Sequence, residues 1–144
     1  MRNFGVIIAS HGLFSVESLK VVEMIAGKQI NVDTVALEEG ESLEQFREDF
    51  NTKYNHLKNK EDVEFIIVFA DIFGGTPFNT INRAIYEGNE MLAYAGYSLP
   101  VLLEVLTNDK LTKEKAIELI ENTHSFALTR IDQIEENEDD EFEL

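Results

Sequence analysis

The sequence predicts an α/β domain, a doubly wound and mostly parallel sheet flanked by helices on both faces. Three observations predict it. Short apolar runs, "FGVIIA", "VDTVAL", "EFIIVFA" and "MLAYAG", recur along the chain, and three of them are apolar almost throughout, as strands covered on both faces are. Segments of helical period, bounded by capping residues, lie between them. Strand and helix alternate at an interval that suits right-handed crossovers between parallel neighbours. In such sheets ligands sit beyond the carboxyl ends of the strands, so the loops that follow strands are where function is sought.

Each helix has its own signals. The first is expected to start near Ser15, whose hydroxyl would cap free amides, to continue through Leu19, Val22 and Ile25, and to stop at Gly27. The second opens with a capping box from Ser42 to Gln45 and carries Leu43, Phe46, Phe50 and Leu57 on one face. The third is expected to take Thr76 as N-cap and Pro77 in its first turn, to present Phe78, Ile81 and Ile85, and to end at Gly88. After the fourth strand come "GYSLP", a helical "VLLEVL", a turn at "TNDK" and a helix from about Thr112. The closing "SFALTRIDQI" is β-branched and aromatic enough for a strand, and its polar residues suit an edge or an interface.

A length of 144 residues suits one domain, expected over 1–134, followed by the acidic segment 135–144. No apolar run approaches the roughly 18 residues of a membrane span, and "MRNFGVIIAS" lacks a cleavage signal, so a cytoplasmic location is expected. There are 12 Lys and Arg against 28 Asp and Glu, a net charge of −16, which disfavours nucleic acid and anionic membranes as partners. Seven of the acidic groups lie in "EENEDDEFEL"; removing seven from −16 leaves −9 for the body, and the segment reads as a solvated tail. Without cysteine there are no disulfides, thiolate metal sites or thiol nucleophiles. No two histidines have ligand spacing, so no metal is expected, and no motif implies a cofactor.

Two loops at strand ends carry the chemistry. "SHG" places His11 after the first strand, and "DIFGGTPFN" runs from Asp71 to Asn79 after the third. In the second, Gly74 and Gly75 let the backbone bend and expose its amides, while Thr76 adds a hydroxyl beside a helix start. The lysine of a Walker loop is missing and the spacing is not G-x-G-x-x-G. Each feature has a plain alternative: the glycines a turn, His11 a structural or exposed histidine, Asp71 a turn-forming aspartate. His56 and His124 read as solvated helix residues. If the first and third strands are neighbours, Asp71 lies beside His11. A carboxylate that accepts from one ring nitrogen fixes the tautomer and leaves the other nitrogen free to attack. A glycine-lined helix start next to that pair suits the oxygens of a phosphoryl group in transfer.

On "SHG", on "DIFGGTPFN" with Arg83 four residues past Asn79, and on "GYSLPVLLEVL", the chain resembles the IIA components of the mannose-family phosphoenolpyruvate:sugar phosphotransferase system, over nearly its whole length up to the acidic segment. The resemblance implies a histidine that accepts a phosphoryl group from phospho-HPr and passes it to a IIB component, with the membrane components IIC and IID engaged indirectly. By position it implies His11 as the phosphorylated residue, Asp71 as its orienting partner, and Gly74, Gly75 and Thr76 as the phosphate-side lining. It also implies a homodimer in which the last strand is exchanged between subunits, and, with no IIB domain following, a separate IIA chain.

The sequence departs from the family pattern in two places. Thr76 stands where serine is common, which keeps the hydroxyl, and Tyr97 and Ser98 stand where Val-Asn often precedes Leu-Pro. Other readings stay open. The phosphoryl-donor subunit of phosphoenolpyruvate-dependent dihydroxyacetone kinase also uses a histidine after a first strand, but "GGTPFN" argues against it. A histidine phosphatase would need an arginine where Ser10 stands. A flavodoxin-like module would bind a ligand without chemistry of its own.

Overall fold

The computed structural model describes residues 1–132, and the acidic segment 135–144 lies outside them. Four strands, β1 (Phe4–His11), β2 (Val32–Leu37), β3 (Phe65–Ala70) and β4 (Leu92–Ala95), form one sheet in the order β2-β1-β3-β4, with every neighbouring pair parallel. The central strands β1 and β3 are the most continuously apolar because both of their faces are covered. Alternate residues of β1 divide between two cores. Phe4, Val6 and Ile8 pack with Ile67, Phe69, Val101, Leu102 and Ile120. Ile7 and Ala9 face the other way, against Phe46, Phe50, Val68 and Ile81.

Five helices supply those faces: α1 (Phe14–Ala26), α2 (Leu43–Lys58), α3 (Gly75–Tyr86), α4 (Leu99–Leu106) and α5 (Lys113–His124). The chain moves outward from β1 to β2, then crosses back past β1 to β3. Crossovers of one hand therefore place α1 on the opposite face from α2 and α3, with α4 and α5 on the side of α1. The point where the direction reverses lies between the ends of β1 and β3.

The cap expected at Ser42 forms, its hydroxyl accepting from the Gln45 amide, and the structure adds two more of the same kind, Ser98 accepting from the Val101 amide and Thr112 from the Lys115 amide. Two other expected caps do not form. Ser15 lies inside α1, where its hydroxyl donates to the Val35 carbonyl, while its amide is capped from the strand by Ser10 Oγ at 2.7 Å. Thr76 is the second residue of α3, whose N-cap is Gly74, because the Gly-Gly turn already brings the chain into the helix. The third helix also closes at Tyr86, before Gly88. Of the strand expected over 125–134, residues 125–132 form turns and irregular backbone, and 133–134 lie outside the described residues. A strand needs a hydrogen-bonded neighbour, and none is offered to this segment within the described chain.

Candidate active site

His11 is the last residue of β1, where the backbone emerges from the sheet. Its register partner is Leu37, and the next amide, Gly12 N–H, donates to the Leu37 carbonyl at 2.8 Å. Gly12 then turns the chain at φ +54 into α1. Buried Ser10 ties the turn together: its hydroxyl donates to the Gly12 carbonyl at 3.1 Å and accepts from Ser15 N–H. The histidine is thus carried on a stiff strand end, with 46% of its side chain exposed.

Asp71 follows β3 directly, and its amide donates to the Ala9 carbonyl at 3.1 Å, extending the β1–β3 pairing by one step. That step sets its carboxylate against His11. Oδ2 accepts from both the backbone N–H and the ring Nδ1 of His11, each at 2.9 Å, and Oδ1 accepts from Ile72 N–H at 3.0 Å. A carboxylate only accepts, so the contact places the ring proton on Nδ1 and leaves the lone pair on Nε2. Nε2 has no hydrogen-bond partner among the described residues.

The start of α3 lies against that nitrogen. A Cβ built on Gly75 would stand 3.0 Å from His11 Cε1 and 3.2 Å from Nε2. Gly74 and Gly75 have φ of +87 and +83, a backbone that glycine adopts without strain. No side chain caps α3, so the amides of its first turn and the positive end of its dipole remain free beside Nε2. Half-buried Thr76 is in that turn. The structure therefore brings together all five residues singled out in the sequence, His11, Asp71, Gly74, Gly75 and Thr76. His56 and His124 are exposed on helices elsewhere.

Two features were not legible in advance. One is an apolar collar: Leu13, Phe14, Ile72 and Phe73, carried on the two loops that hold His11 and Asp71, are all exposed, with Phe73 at 81% and its ring centroid 4.4 Å from that of Phe78. The other is Tyr97, whose ring stacks on Phe14 at 5.3 Å and whose hydroxyl hydrogen-bonds Ser18 Oγ at 2.9 Å. Burial pushes the Tyr97 phenol up to about 12; the Ser18 hydrogen bond opposes this and the Asp71 charge adds to it. A recess of about 760 Å³ lies at the far end of the sheet near Lys58, Glu64 and Met91. The histidine site is an open surface.

A parallel α/β sheet with a carboxylate-held histidine at its switch point, facing the bare start of a helix, defines a class of domain that presents a histidine ring nitrogen at the carboxyl ends of its strands. The family model described as PTS system fructose IIA component, EIIA-man, matches residues 5–124, and the chain belongs to this family, the mannose-type IIA components of the sugar phosphotransferase system. It is 35% identical over 102 residues to a PTS system fructose-specific EIIA component of Bacillus subtilis, covering 71% of this chain and 68% of that protein. It is 32% identical over 101 residues to a PTS system mannose-specific EIIAB component of Escherichia coli, covering 70% of this chain but only 30% of that longer protein. Among solved structures it resembles the PTS IIA protein associated with the fucose utilization operon of Streptococcus pneumoniae, with a TM-score of 0.77 and 26% identity over 90% of this chain and 96% of that one. It also resembles the mannose/sorbose specific IIA subunit from Enterococcus faecalis, with a TM-score of 0.75 and 25% identity over 94% and 98%. The chain is accordingly a component of sugar phosphotransfer. Among the described residues no helix is long and apolar enough to cross a membrane.

Proposed function

We propose that the chain is a phosphocarrier whose His11 takes a phosphoryl group from phospho-HPr and hands it to a IIB component, the sugar being phosphorylated further along through the membrane components. The observation that carries this is the pairing of Asp71 with His11 Nδ1 at 2.9 Å while Nε2 faces the start of α3. In the step, the Nε2 lone pair attacks phosphorus as the donor's N–P bond breaks and its electron pair returns to the donor nitrogen. Nδ1 keeps its proton, so the phosphorylated ring is cationic and Asp71 compensates that charge. The amides of Gly75 and Thr76, reached through the Gly74 turn, and the Thr76 hydroxyl receive the phosphoryl oxygens. Transfer to the acceptor reverses each of these events. An open site suits a group exchanged between two protein surfaces. No observation favours the kinase-subunit or ligand-binding readings over it.

Incubation with phosphoenolpyruvate, enzyme I and HPr should add the mass of one phosphoryl group to the intact chain, and His11→Ala should remain folded and gain nothing. Phosphorus NMR should place the group on Nε2. A label on His56 or His124, or a labelled His11→Ala protein, would show the site to be wrong.

A further inference from the structure

On the face away from α1, the groove between α2 and α3 holds polar groups that the histidine site does not use. Thr80 is 4% exposed, yet its Oγ1 has no hydrogen-bond partner, although a helical threonine ordinarily donates to a carbonyl one turn back. Across the groove, Arg47 has a buried Nε without an acceptor, and its guanidinium makes no hydrogen bond or ion pair with any described residue. Two unsatisfied buried donors in one place are costly, and a native site that keeps them is short of an acceptor. In a chain where 28 acidic residues surround 12 cations, an unpaired half-buried guanidinium is the more unusual. Both groups line a recess of about 210 Å³ together with Asn51 and Arg83. A second recess, of about 430 Å³, shares Arg47 and Arg83 and continues to Asn79, Asn82 and Tyr86. Glu87 borders both and holds Arg83 at 3.5 Å, as the internal stand-in for an anion.

We propose that this groove is a second anion site, which binds a small hydroxylated phosphate monoester: the phosphate in the inner recess between Arg47, Arg83 and Thr80, and the organic part outward against the asparagine amides and the Tyr86 ring. Arg47, Arg83 and Thr80 line one recess, where a tetrahedral oxyanion would offer acceptors to a hydroxyl and to planar guanidinium forks, which match phosphate oxygens. Neutral amides and an aromatic face suit a hydroxylated body and offer nothing to a second charge. The proposal stands independently of the phosphocarrier reading, because none of these residues touches His11.

The test is a titration of the full chain with glycerol phosphate, inorganic phosphate and sulfate, followed by NMR of the Arg47 Nε–H and the Thr80 and Asn82 signals and by calorimetry. Saturable shifts with glycerol phosphate, weaker with inorganic phosphate, are expected. Arg47→Ala and Thr80→Val should each weaken binding by about tenfold, the scale of one lost charge-assisted hydrogen bond. Glu87→Gln should tighten it by freeing Arg83, and His11→Ala should leave it unchanged; thermal melts establish that each variant is folded. Equal affinity for inorganic phosphate would assign the groove to the free ion and overturn the monoester. Linear, non-saturating shifts, shifts confined to Gly75 and Thr76, or undiminished binding by Arg47→Ala would overturn the site itself.

Discussion

Gly75 and the His11 ring meet so closely that a single methyl group on the glycine would fall 3.0 Å from Cε1 and 3.2 Å from Nε2. Gly74, with nearly the same φ, has nothing within 4 Å of the same position. The two glycines therefore separate backbone strain from contact with the ring. Gly74→Ala and Gly75→Ala should each lose roughly 1–3 kcal/mol of stability, the usual cost of such a backbone for a residue with a side chain. Only Gly75→Ala should also push the ring aside and slow phosphoryl acceptance at His11. Paired thermal melts and transfer rates would check this, and equal rates in the two variants would show that the close approach has no bearing on His11.

Asp71→Asn tests the carboxylate. Its two oxygens accept three N–H groups, from His11 N, His11 Nδ1 and Ile72 N. An amide has one oxygen and one donor nitrogen, so whichever way it is turned at least one of those bonds is lost, at about 1 kcal/mol. If the oxygen keeps the histidine side, the tautomer survives but the charge that balances a phosphorylated ring does not. Transfer should fall by roughly a hundredfold or more, as expected when an orienting carboxylate is neutralised. A normal rate with an intact fold would remove Asp71 from the mechanism.

How much of this was legible in the sequence depends on how local each cause is. The strands and α2, α4 and α5 could be read because apolar runs and helical period act within a few residues, as does the Ser42 hydroxyl that caps an amide three positions on. The caps expected at Ser15 and Thr76 do not form because those helix ends are closed by more distant or different means, a strand serine, Ser10, in one case and a glycine turn in the other. The proximity of Asp71 to His11, 60 residues apart, followed from strand order, since β1 and β3 are neighbours. The stacking of Tyr97 on Phe14 has no such rule behind it. It depends on where the loop after β4 meets the first turn of α1, which only packing decides.

The tyrosines make alkaline stability a readable quantity. Burial raises both Tyr94 and Tyr97 to about 12, and Glu121 adds to this at Tyr94 through a 2.8 Å hydrogen bond. In the unfolded chain each would ionise near the ordinary value of 10. The folded state thus binds these protons more tightly. The associated stability is fully present below pH 10 and is lost as pH rises from there through about 12. Denaturant midpoints across that window should fall, and Tyr97→Phe should reduce the slope. An unchanged slope would show that Tyr97 ionises freely in the folded protein.

The C-terminal segment bears on assembly. Phe126, Leu128 and Ile131 are 69%, 97% and 91% exposed, and β4 is paired only on its β3 side among the described residues. Exchange of this segment onto a second subunit's sheet would cover both apolar side chains and an open edge. Light scattering at micromolar concentration should report a dimer, and truncation after His124 should convert it to a monomer. A full-length monomer would refute the exchange.

The apolar collar and the charge of the chain predict two separable contributions to encounter with a donor. Phe73 is exposed over most of its surface in the loop between Asp71 and Gly75, and large rings in such positions carry a disproportionate share of binding energy at protein interfaces. Phe73→Ala should raise the donor concentration needed for half-maximal transfer, with little change in melting temperature or in the rate at saturation. The net charge of −16 acts at longer range and would speed the approach of any donor whose contact face is basic. Transfer should therefore slow as salt shortens the Debye length from ~10 Å at 0.1 M to ~3 Å at 1 M. Apolar contact is not screened, so the penalty from Phe73→Ala should stay the same at both salt concentrations while the absolute rates fall together. Stopped-flow transfer from phospho-HPr measures both. A penalty that vanishes in high salt would mean that Phe73 shapes the electrostatic approach rather than the docked contact, and a rate indifferent to salt would remove steering altogether.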